Sequence, residues 1–100
     1  MTINVRQTAP TQYLSANSAN QQLTFVSTGT LLVTAVGDTC FVATGSDNTV
    51  TADTGIPVLS NVQVLLQTGQ SFNQDPGPVY FVCLTNGGAT DVFVTPVETN

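Results

Sequence analysis

Apolar positions in this chain recur with a period of two. In "VQVLLQT", residues 62–68, Val62, Val64 and Leu66 fall on one side, and Gln63, Leu65 and Gln67 on the other. Such alternation predicts a strand with one face in a core and the other in solvent. No window carries the spacing and caps of an amphipathic helix. Strands are expected near residues 3–8, 22–27, 30–36, 39–45, 56–59, 62–68, 78–85 and 91–97, with turn residues between them. Gly37-Asp38, set between two apolar runs, predicts a two-residue hairpin turn. "NGGATD" at 86–91 predicts a longer hairpin loop joining the last two strands. "DPGP" at 75–78 predicts a tight turn, with Pro76 fixing φ and Gly77 supplying a positive one.

Several strands are apolar on both faces. "VYFVCL" sets Val79, Phe81 and Cys83 against Tyr80, Val82 and Leu84. "LLVTAV" sets Leu31, Val33 and Ala35 against Leu32, Thr34 and Val36, and in "DVFVTPV" Phe93 and Val97 point away from Val92 and Val94. A small two-sheet sandwich has one core, so a strand apolar on both sides needs a second cover. The cover expected here is another chain, with Tyr13, Leu14, Leu65, Tyr80, Val82, Leu84 and Phe93 at the interface. Each such side chain, once buried, contributes about 1.5–3 kcal/mol. A homo-oligomer or a docked subunit follows.

Composition sharpens the fold class. With 17 threonines and 14 valines in 100 residues, β-branched side chains dominate and disfavour helix. The length suits one domain. The expectation is an all-β, two-sheet sandwich or jelly-roll-like domain of about eight short strands over residues 21–100. Residues 1–20 are polar, rich in Ala, Ser, Asn and Gln, and broken by Pro10, with Tyr13 and Leu14 as the only anchor. They read as an extended N-terminal arm, either frayed or laid along a neighbouring subunit.

Charge removes whole classes of function. Arg6 is the single cation, against Asp38, Asp47, Asp53, Asp75, Asp91 and Glu98, and there is no lysine or histidine. Neutralising phosphates takes several cations, so nucleic acid and anionic membrane surfaces are not expected partners. Without His or Lys, neither a Ser/His/Asp nor a Cys/His arrangement can be built within the chain. No enzyme activity, cofactor, metal or small-molecule substrate is expected.

The stretch "TCFVATGSDNTVTADTG", residues 39–55, carries a thiol, Asp47, Asn48 and Asp53. It lacks the alternating ligands and bidentate Glu of a calcium loop, and reads as a strand followed by a turn capped by Asn and Asp. Cys40 and Cys83 lie in apolar runs with no basic neighbour, which makes them inert buried thiols, or a disulfide if their strands adjoin. Residues 1–20 hold no apolar run and no basic start, so synthesis and residence in a cytoplasm are expected at the outset.

The order of elements has a likeness. "GDTCFVATGSDNTVTADTG", "IPVLSNVQVLLQTGQSF" and "VYFVCLTNGGATDVFVTPVE", with Thr68-Gly69-Gln70 in a turn and Val92, Val94, Thr95 and Glu98 in a last strand, resemble small tailed-bacteriophage virion proteins of the capsid decoration (cement) type. The likeness spans roughly residues 21–98; the arm and the single Arg6 have no counterpart in it. It implies a sandwich or jelly-roll subunit on the outer capsid surface, bound to the major capsid protein and to copies of itself, with a trimer favoured. The alternatives are a tail or fibre subunit of a phage, or a free carbohydrate- or ligand-binding module using Tyr13 and Tyr80.

Overall fold

The computed structural model describes residues 5–26, 29–45, 49–53, 55–67 and 78–99. Among them there is no helix, and nine strands form two antiparallel sheets. β1 (Val5–Gln7), β2 (Gln12–Ala16), β4 (Thr30–Gly37), β7 (Gln63–Gln67) and β9 (Thr90–Thr99) make the first sheet. β3 (Gln21–Val26), β5 (Cys40–Gly45), β6 (Ile56–Val58) and β8 (Pro78–Thr85) make the second.

The pairing is nested: β2 lies against β9, β3 against β8, β4 against β7 and β5 against β6. Folding this long hairpin over itself adds the contacts β4–β9 and β5–β8 and gives the strand order of a jelly roll. All-β architecture in two sheets was the sequence expectation, and the alternation explains it. Leu31, Val33, Ala35, Val92 and Val94 from one sheet meet Val42, Val79, Phe81 and Cys83 from the other in a single core. Each of these inward residues is separated from the next by one that faces away.

Three expectations are corrected. Gly37-Asp38 does not close a hairpin, because β4 and β5 belong to different sheets. The same holds for residues 86–89 between β8 and β9. Both connections are corners of the sandwich and are tied to each other: the Asp38 amide donates to Thr90 Oγ1 at 2.9 Å. The third concerns residues 5–16, which pair along β9 as β1 and β2 in the chain's own sheet. Leu14 and Ala16 enter the core. A strand with two small inward contributions among polar residues carries too little apolar signal to be picked out by pattern alone. The predicted turn at 75–78, the Thr68-Gly69-Gln70 turn, and Asp47 and Asn48 lie outside the described residues.

Candidate functional site

Both sheets are apolar on the outside as well as within, and the chain treats the two outer faces differently. On the second sheet, Phe41, Ala43, Tyr80, Val82 and Leu84 alternate with core residues and so face outward. Val82 is nevertheless 1% exposed. Residues 49–53 and 55 are placed to cover it. At one side a Cβ on Gly45 would touch Val50, and one on Gly55 would touch the Val42 backbone. At the other side the Ala52 amide donates to Asn20 Oδ1 at 2.9 Å, and Asn20 Nδ2 donates to Asp53 Oδ1 at 3.3 Å. Asn20 adjoins β3 while Gly45 ends β5, and β8 with Val82 runs between those strands. The described residues of the segment form a strap across the sheet, and the Gly55 amide donates to the Ala52 carbonyl at 3.1 Å. Ala52, within the strap, is fully buried.

Among the described residues the first sheet has no such strap. Its outer face is organised by register into rows: Tyr13, Phe93, Thr34 and Gln63 in one, Thr95, Leu32 and Leu65 in the next. Tyr13 remains 54% exposed and Phe93 39%. Their ring centroids are 5.2 Å apart with planes tilted at 45°. Tyr13 Oη donates to Asp91 Oδ1 at 2.5 Å, and that bond to a carboxylate raises the phenol above its ordinary value.

At the opposite margin of this face the character turns aliphatic. The Asn61 amide donates to the Ala35 carbonyl at 2.8 Å and folds the β6–β7 turn against the end of β4. Asn61 takes a φ of 62°, which an asparagine tolerates better than most residues. The turn leaves Leu59 and Val62 exposed near the end of β4, and Leu65 is exposed further along β7, opposite Leu32.

The seven expected interface residues therefore do not form one surface. Tyr13, Leu65 and Phe93 lie exposed on the outer face of the first sheet. Tyr80 and Leu84 are half-buried on the other sheet's outer face. Leu14 and Val82 are corrected outright: Leu14 packs into the core and Val82 lies under the strap, so neither offers surface to a partner. Val36, Leu59 and Val62 were missed. The alternation in "VQVLLQT" placed Val62 with inward Val64 and Leu66, but the Asn61 turn ends the period before Val62. Leu59 and Val62 on either side of the polar Ser60-Asn61 step were the available signal.

The titratable groups offer little chemistry. Arg6 and Glu98 form an exposed ion pair between paired residues of β1 and β9. Cys40 and Cys83 are both buried free thiols, and burial holds both in the protonated form, with Cys83 pushed up to about 12. Among the described residues, no three of His, Cys, Asp and Glu gather as a metal would require. No family model, curated protein or solved structure matches the chain.

Proposed function

We propose that the protein is a structural subunit of a tailed-phage particle that decorates or cements the capsid. It docks on the major capsid protein and on sister copies through the aliphatic margin of the first sheet. The observation that carries this reading is the contrast between the two outer faces. Among the described residues a strap lies over one, while Leu65 on the other, with Leu59 and Val62 in the turn at its edge, stays exposed. Three such side chains, already about half-covered and each contributing about 1 kcal/mol when buried fully, supply the apolar centre of an interface. The neighbouring Gln63 and Gln67 supply polar groups for its rim, and they are exposed. The sequence likeness to capsid decoration proteins and the jelly-roll strand order, an architecture used in viral shells, both support the reading. On a shell, many copies of one modest contact act together through high effective concentration.

The test is a mass-spectrometric inventory of purified particles, followed by heat and osmotic challenge of particles stripped of the protein. Decoration requires hundreds of copies and a loss of robustness on stripping. A handful of copies would place it in the tail instead, and absence from particles would end the proposal. A Leu59→Ser, Val62→Ser double variant is expected to fold normally and to lose particle occupancy.

A further inference from the structure

We infer that Tyr13, Phe93 and Asp91 form a binding site for a neutral saccharide, on the part of the first sheet farthest from β7. Val36 of β4 pairs with Asp91, so the site reaches as far as β4, but it is set apart from Leu59, Val62 and Leu65, which carry the docking reading, and the two readings are tested separately. Its chemistry is specific. Two exposed rings on paired residues of β2 and β9 stand 5.2 Å apart with their planes tilted at 45°, so they open different faces to solvent. Aromatic faces take the apolar C–H face of a pyranose, while its hydroxyls need acceptors and donors at the edge. Asp91 supplies the acceptor. One of its oxygens is held by the Tyr13 phenol at 2.5 Å, which fixes the carboxylate, and the exposed group keeps further lone pairs for sugar hydroxyls. Ser15 pairs with Asp91 across the strands and Thr34 with Phe93, so hydroxyl groups flank both the carboxylate and the rings.

Charge decides against the other occupants. A protein surface packed here would strip water from Asp91 and would have to bring a cation to it. A second copy of this chain brings only Arg6, which is already paired with Glu98. An anionic ligand would meet a carboxylate in a chain of net charge −5. A neutral polyol satisfies the carboxylate through hydroxyl donors without needing a counter-charge.

The experiment titrates the isotope-labelled full chain with maltohexaose, cellohexaose and chitohexaose, and with a hyaluronan oligosaccharide as the anionic control, following backbone amide shifts. At least one neutral oligosaccharide is expected to move the amides of Tyr13, Ser15, Asp91 and Phe93, and the anionic one to leave them in place. Phe93→Thr, which suits a strand but lacks the ring, is expected to weaken binding roughly tenfold. Tyr13→Phe keeps the ring but frees Asp91, and is expected to weaken it less. Leu59→Ser is expected to bind like the native chain. The inference is overturned if none of the three neutral oligosaccharides shifts these amides, if Phe93→Thr binds as well as the native chain, or if the anionic oligosaccharide binds best.

Discussion

Thr90 and Asp38 hold each other twice: the Asp38 amide donates to Thr90 Oγ1 at 2.9 Å, and the same hydroxyl donates to the Asp38 carbonyl at 3.0 Å. Thr90 is 1% exposed, so water does not stand in for either bond. The pair locks the corner after β4 to the first residue of β9. Thr90→Val preserves shape and removes both bonds, leaving a backbone donor and acceptor without their partner. The expected cost is about 1–3 kcal/mol in urea unfolding, with Thr90→Ser costing less. A Thr90→Val chain as stable as the native one would mean that the corner finds other partners.

The strap over the second sheet depends on a glycine. A Cβ on Gly55 would lie 2.4 Å from the Val42 carbonyl oxygen, a backbone atom that cannot swing aside. Gly55→Ala is therefore expected to lift the strap and destabilise the fold by about 1–3 kcal/mol. At Gly29 nothing lies within 4 Å of the added carbon. Gly29→Ala is expected to be neutral or to stabilise by about 0.4–1 kcal/mol, by restricting the unfolded chain. Thermal denaturation of the two variants side by side checks the contrast.

Two outward valines report whether a face is covered. Val82 is 1% exposed and Val36 46%. Val→Thr keeps the shape and adds a hydroxyl. At Val82 that hydroxyl is buried under the strap and is expected to cost about 1–3 kcal/mol. At Val36 it meets water, and the change is expected to stay within about 0.5 kcal/mol. Equal effects at both positions would remove the distinction between the faces.

These outcomes also locate what the sequence made legible. The period of two, the β-branched composition and the apolar runs of β4, β8 and β9 were enough for an all-β sandwich, because each inward residue reports its own burial by type. Corners were misread as hairpins because a Gly-Asp step looks the same whether the next strand pairs with the last or crosses to the other sheet; only Thr90, far along the chain, decides it at Asp38. Strand β2 was hidden because Ala16 buries completely while contributing little hydrophobic signal. The strap was hidden for a different reason. Asn20 and Ala52 are both ordinary loop residues until the fold brings them together.

Alkaline pH provides a test of the core. Burial pushes the Cys83 thiol up to about 12, with nearby Cys40 adding to the effect, against an ordinary value of 9.0. Below pH 9.0 both states keep the proton and the group leaves stability unchanged with pH. Between 9.0 and about 12 the unfolded chain loses the proton while the folded one retains it, so stability falls as pH rises. The slope from this group is at most about 1.4 kcal/mol per pH unit. Cys83→Ala is expected to flatten that part of the pH profile, at a cost in stability at neutral pH. Both thiols should also resist a thiol reagent until the chain unfolds.

The position of β9 has a consequence for how the molecule comes into being. This strand, the last in chain order, is the middle of its sheet, flanked by β4 on one side and by β1 and β2 on the other. Until residues 90–99 leave the ribosome, the N-terminal strands and β4 have no common template. Half of the core must wait for that strand. The opposite sheet has its β5–β6 pair earlier, so the nascent chain carries a lone greasy layer for a time. Apolar surface left open over that interval is prone to association, which ties the yield of folded chain to synthesis speed and chaperone access.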